Sequence, residues 1–186
     1  MDFPTSDFWS YSSQIWAMPE VEPLCLELQN DFDADVNLLI FCIWLGDTKR
    51  CMNEDDLQML LDTIKPWQTM IKPLRDSRKM MQQQMIAMPT HMIEQTISNM
   101  KEMELNAEHM AQLALEKALT HTDVLSPNEL SEVECSLANL NLYMHCLEAA
   151  ADSAEATAKI SQLLTAVYQD EESVQMALMN QAAAAG

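Results

Sequence analysis

Glycine is almost missing from this chain, which holds two in 186 residues, Gly46 and Gly186. A sequence so poor in the residue that supplies positive-φ turns cannot readily build hairpins or phosphate-cradling loops. Basic side chains are scarce too, ten against 29 acidic ones, for a formal net charge of −19. A field of that sign repels nucleic acid and anionic lipid, so neither is an expected partner. Apolar runs stay short: the longest, residues 36 to 46, falls well below the ~20 residues needed to cross a bilayer. The N-terminal stretch Met1-Asp2-Phe3-Pro4-Thr5 has neither the basic start nor the apolar segment of a secretion signal, and a cytoplasmic location is expected. No Gly-x-Ser-x-Gly elbow, phosphate-binding loop or dinucleotide fingerprint occurs, so no catalytic residue and no cofactor is expected.

Cysteine is present in an odd number, Cys25, Cys42, Cys51, Cys135 and Cys146, without a C-x-x-C pair. Such residues read as small hydrophobes in a reducing compartment. The four histidines have no paired spacing, which argues against a zinc site.

What is abundant is Leu, Met, Ala, Glu and Gln, all good helix formers. The expected fold class is all-α, a single compact bundle of six or seven helices. Residues 1–150 should form the core domain, and residues 151–186 an Ala-rich C-terminal helix with a frayed tail. A first helix begins near Ser6 or Asp7 with Phe8, Tyr11 and Ile15 inward, and ends by Pro19. A second presents Val21, Leu24, Cys25 and Leu28. Asp35 caps a third, buried helix that Gly46 closes. Asn53 caps a fourth, which Pro66 should divide near Lys65. A long helix runs from Pro89 to about His121. Ser126-Pro127-Asn128-Glu129 reads as the capping box of the next, and a further helix covers about residues 153 to 169.

Four residues stand out as candidate binding groups: Asp35, Asn37, Arg75 and Arg78. Asn37 is an amide inside an apolar helix and must find partners or cost ~1–3 kcal/mol. Arg75, Arg78 and Lys79 share one helical face, within a basic island that holds seven of the ten basic residues between Lys49 and Lys79. The two groups could converge across the bundle as one polar cluster. Metal readings fail on their own requirements. Asp31, Asp33, Asp35 and Asn37 alternate as calcium ligands do, but Val36 stands where such a loop needs Gly and Cys42 where it needs Glu. The acids Glu54, Asp55 and Asp56 suit the positive end of a helix better than a magnesium site. Met80, Met81, Met85, Met88, Met92 and His91 would suit copper(I), yet methionine at helical spacing is more often packing or an adaptable contact surface.

Several blocks in order resemble a family of uncharacterised proteobacterial proteins, catalogued as domain of unknown function 2390. They are Phe8-Trp9-Ser10-Tyr11-Ser12, Cys25-Leu26 with Leu28-Gln29, and Asp35-Val36-Asn37-Leu38-Leu39 with Phe41-Cys42 and Trp44-Leu45. Trp67, Pro73-Leu74-Arg75 with Arg78, and Glu104-Leu105-Asn106-Ala107-Glu108 continue the pattern, over roughly the first three quarters of the chain. The resemblance implies a small cytosolic helical protein with a variable C-terminal region, and implies no activity.

The leading functional reading is a protein-interaction or regulatory module without catalytic activity, its partner another protein and its basic island one docking face. The alternative is a small-molecule binder or enzyme with an interhelical polar pocket around Asp35, Asn37 and Arg75. A third reading is homodimerisation through the long helix from Pro89 to His121.

Overall fold

The apolar run becomes a helix with no exposed face. In the computed structural model, which describes residues 3–83, 89–119, 129–150 and 153–184, every residue from Asn37 to Gly46 is buried. A helix without a polar stripe can only sit inside others, and the chain wraps it accordingly. Eight helices and no strand occur among the described residues: α1 (Asp7–Trp16), α2 (Val21–Phe32), α3 (Val36–Asp47), α4 (Glu54–Gln83), α5 (Thr90–Leu119), α6 (Glu132–His145), α7 (Ala154–Tyr168) and α8 (Glu171–Ala184). The bundle is therefore all-α, with a count slightly above that expected. Helix α6 packs along α3, while α1, α2 and α5 cover its other sides. The two longest helices, α4 and α5, pair with each other.

Local chemistry sets the helix starts. Ser6 accepts a hydrogen bond from the Trp9 N–H at 2.9 Å, and Asp35 accepts from Asn37 and Leu38 at 2.8 and 3.2 Å. Asn53 and Asp56 cap reciprocally, each side chain accepting from the other's backbone N–H. The box at the start of α6 is Ser131 with Glu134, since α6 begins at Glu132. The one expected at residues 126–129 lies mostly outside the described residues. Around α3, Phe8 meets Phe41 edge-on at 4.8 Å and Trp44 at 5.3 Å, the arrangement aromatic quadrupoles favour.

Three expectations are corrected. Gly46 does not close α3: the helix runs on to Asp47, and the left-handed conformation past its end belongs to Lys49 at φ 55°. Glycine is required there for proximity, because a Cβ on Gly46 would overlap the Ser136 Oγ, N and Cα of α6. Secondly, α4 is continuous through Pro66 and Pro73. Each proline removes one backbone hydrogen bond, but the stripe Leu57, Leu60, Ile64 and Ile71 stays buried, and packing against α5 holds the helix together. Finally, the segment expected as a frayed tail contains α8, whose Val174 and Ala177 are buried in the same apolar cluster as α3. Low net hydrophobicity hid two contact points that α6 and α7 supply.

The N-terminal segment is held on α5 by rings. His109 stacks on Trp9 with centroids 3.8 Å apart and planes 7° from parallel, and Phe3 lies 4.1 Å from the same imidazole. His109 is 9% exposed, and its Nε2 is buried with no hydrogen-bond partner. Burial holds the imidazole below its ordinary titration range.

Gly46→Ala should cost about 1–3 kcal/mol, since backbone atoms of α6 cannot step aside as a side chain would; urea unfolding measures it, and a change under about 0.5 kcal/mol, the range of ordinary surface substitutions, would remove the close-approach argument. His109→Phe keeps the ring stack and removes the orphaned nitrogen, and should stabilise the protein by about 1 kcal/mol at neutral pH. Because the folded state binds the His109 proton less readily than the unfolded chain, stability from the neutral ring is present above the unfolded pKa of about 6.5 and is lost as pH falls below it. Thermal melts between about pH 5 and 6.5 should therefore fall less steeply for His109→Phe than for the native chain; parallel curves would show that His109 is not responsible.

Candidate functional site

Where α2 hands over to α3, two clefts meet. One, of about 480 Å³, is lined by Asp35, Asn37, Gln68, Arg75 and Tyr143 among others. The second, of about 600 Å³, runs between α1, α2, α4 and α5 and is lined by Trp9, Trp16, Leu26, Asn37, Leu105 and Gln112, with Arg75, Arg78, Glu104 and Glu108 along one side. Asn37, Arg75 and Lys79 line both. Asp35 reaches only the first and Arg78 only the second.

Helix α3 places Asp35 and Asn37 through its first turn. Asp35 Oδ1 caps the helix, its Oδ2 accepts from Gln68 Nε2 at 3.1 Å, and its backbone N–H donates to the Tyr143 hydroxyl at 2.7 Å. Both oxygens of this carboxylate are thus engaged by the fold. Desolvation, with the Asp35 charge next, pushes the Tyr143 phenol far above its ordinary value, so its O–H stays protonated at any physiological pH.

Asn37 is 8% exposed and sits at the end of a buried relay. Ser12 Oγ donates to Gln112 Oε1 at 2.8 Å, and Gln112 Nε2 donates to Asn37 Oδ1 at 2.9 Å. The relay fixes the Asn37 amide with its oxygen toward α5. Among the described residues no acceptor meets its Nδ2, which belongs to a residue lining both clefts. An amide held this way offers a hydrogen-bond donor of fixed position.

Arg75 and Arg78 are tied inward instead of facing solvent. Arg75 Nη2 lies 2.8 Å from Glu108 Oε1. Arg78 makes a two-pronged contact with Glu104, Nε to Oε1 at 2.6 Å and Nη2 to Oε2 at 3.0 Å, the planar fork geometry that suits guanidinium to carboxylate. The Arg78 and Glu104 side chains are 18% and 8% exposed. Burial raises the Glu108 carboxyl above its usual range despite the opposing pull of Arg75. The hydrogen bond to Glu104 raises Arg78 further, so it remains a cation throughout.

The residues that sequence reasoning did not single out are the partners: Ser12, Gln68, Glu104, Glu108, Gln112 and Tyr143. A signal existed for three of them. Glu104, Glu108 and Gln112 recur every four residues, one polar stripe on an otherwise amphipathic helix, opposite a helix carrying Arg75 and Arg78 on one face. Among the described residues no group of three or more His, Cys, Asp or Glu side chains is placed to hold a metal ion, and no helix is long and apolar enough to cross a membrane.

No curated protein and no solved structure matches the chain. A family profile matches residues 7–115, which takes in α1 to α4, most of α5 and every side chain of the two ion pairs and the Ser12–Gln112–Asn37 relay. The chain belongs to the family of proteins of unknown function DUF2390.

Proposed function

We propose that this chain is a non-catalytic binding module whose cleft between α1, α2, α4 and α5 takes a small, neutral, largely apolar ligand carrying a hydrogen-bond acceptor. The observation that carries this reading is the Asn37 amide, locked through its oxygen by Gln112 while its Nδ2 meets no acceptor among the described residues at a cleft wall. The remaining wall is mostly apolar, with Leu26 and Leu105 38% and 52% exposed and Trp9 and Trp16 half-buried. Concave, mostly apolar sites with a few fixed polar groups are the usual form of small-ligand pockets. The charges of this cleft do not favour an anion, because Arg75 and Arg78 are already neutralised by Glu108 and Glu104, and the single charges of Lys79 and Glu22 cancel.

Binding of a partner protein, with a regulatory role, is the second reading. Its support is a set of half-exposed methionines along α4 and α5, namely Met70, Met80, Met92 and Met103, a flexible apolar surface of the kind that adapts to other chains. A homodimer would be one form of it. The paired state of Arg75 and Arg78 moves the expected docking face away from those two residues and onto the methionines.

Titration with prodan, a neutral naphthyl ketone whose emission shifts in dry surroundings, separates the two readings. The cleft reading expects saturable binding at one site per chain. Leu105→Ser at the mouth and Asn37→Asp at the wall should each weaken it at least tenfold, about 1.4 kcal/mol, while Met92→Ser should leave it unchanged. Absence of saturation, or equal affinity in Leu105→Ser and Asn37→Asp, would be fatal to the cleft reading.

A further inference from the structure

At the far end of α3 from the clefts, two thiols stand face to face. Cys51 Sγ lies 2.8 Å from Cys135 Sγ, compared with about 2 Å for a covalent disulfide. The approach is built by three hydrogen bonds around it. Asn139, one helical turn beyond Cys135 on the same face of α6 and fully buried, accepts from the Met52 N–H at 2.8 Å and donates through Nδ2 to the Arg50 carbonyl at 2.8 Å and to the Cys42 carbonyl at 3.2 Å. Residues on both sides of Cys51 are thus clamped one turn along from Cys135, which leaves the Cys51 side chain facing Cys135 by register. The pair differs in access: Cys51 is half-buried and Cys135 fully buried.

We propose that Cys51 and Cys135 are a reversible redox modification site, forming an intramolecular disulfide with a low-molecular-weight disulfide as the oxidant. Cys51, the accessible thiol, loses its proton to water and attacks one sulfur of the small disulfide, which releases one small thiol and leaves a mixed disulfide on Cys51. Cys135 then loses its proton and attacks Cys51 Sγ, forming the Sγ–Sγ bond and expelling the second small thiol. The two protein sulfurs are oxidised by two electrons in total and the small disulfide is reduced by two. Burial, then the hydrogen bond to Cys135, pushes the Cys51 thiol up to about 12, so exchange at neutral pH is slow and the pair stays reduced until an oxidant persists. The bond would tie the segment between α3 and α4 to α6 across a sequence separation of 84, a long loop whose closure restricts the unfolded chain. This inference does not rest on the ligand-binding reading, since the thiols lie outside both clefts.

The test equilibrates the full chain with glutathione disulfide, then maps cysteines by mass spectrometry under non-reducing conditions. Expected are a monomer lighter by two hydrogens, a peptide pair joined at Cys51 and Cys135, and a melting temperature raised by roughly 5–15 °C that dithiothreitol returns to its starting value. In Cys135→Ser the mixed disulfide on Cys51 should accumulate because nothing resolves it, and in Cys51→Ser no crosslink to Cys135 should form. A stable mixed disulfide on Cys51 of the native chain, a crosslink that uses the exposed Cys146 instead, or two thiols still reduced at equilibrium in folded protein would each overturn the proposal.

Discussion

A helix with no polar side imposes the terms on which the rest of this bundle is built. Because residues 37–46 are all buried, α3 needs apolar contact in every direction and a receiver for each polar group it carries. Neighbouring helices meet both demands except at Asn37 Nδ2, which belongs to a residue lining both clefts. Asn37 is received by Gln112, the Ile43 carbonyl accepts from Ser136 and the Cys42 carbonyl from Asn139. Ser136 and Asn139 are themselves fully buried, so α6 matches the axis of the bundle in polar groups as well as in shape. Buried polar atoms without such partners would cost about 1–3 kcal/mol apiece. The only side-chain atom of that kind among the described residues, His109 Nε2, lies on α5 and not on α3.

The second organising element is the polar stripe of α5. Glu104, Glu108, Gln112 and Glu116 follow at intervals of four, and each holds a different piece of chain: Arg78 and Arg75 of α4, then Ser12 and Asn37, then Ser6 and the N–H of Asp7. Ion pairs shielded from water contribute little net stability once desolvation is counted, yet losing one partner is expensive. Their effect here is on register. Two arginines three residues apart meet two glutamates four apart, which fixes how far α4 may slide along α5 even though its apolar stripe is interrupted by two prolines. Of the basic island, Arg75 and Arg78 are taken up in these internal pairs, while Lys49, Lys65, Lys72 and Lys79 stay exposed.

How much of this was legible follows from the range of each interaction. The buried run, the caps at Ser6, Asp35 and Asn53, and the inward stripes of α1 and α2 are consequences of residues within one or two turns, and the sequence carries them openly. Gly46 was misread because its reason lies in Ser136, ninety positions away. The continuity of α4 was misread because propensity counts the two prolines, and the packing that outweighs them belongs to α5. Asn37 and Arg75 were picked out by type alone, an amide in an apolar helix and a base in an acidic chain; the relay and the ion pair that give them roles needed the pairing of α5 with α1, α3 and α4. The Cys51–Cys135 approach had no signal at all in spacing.

The acidity of the chain acquires a meaning from where its few bases go. Lys159, with only 14% of its side chain exposed, bridges Glu27 at 2.6 Å and Asp31 at 3.4 Å and so joins α7 to α2. Arg75 and Arg78 join α4 to α5, and Lys49 reaches Glu132 at 3.6 Å. These four of the ten cations are thus spent on bridges between separate parts of the fold, and against 29 acids the rest leave the surface with a large excess of negative charge. An anionic ligand would meet repulsion once it came within about 8 Å of the surface, the screening distance at physiological salt, whereas the cleft wall itself carries as many acids as bases. A neutral ligand crosses such a field without cost and finds a fixed amide donor and indole faces at the end of its path. The same argument separates the two proposed surfaces: the exposed methionines of α4 and α5 lie in the open field and would favour a basic partner, while the cleft would select by shape and by one hydrogen bond.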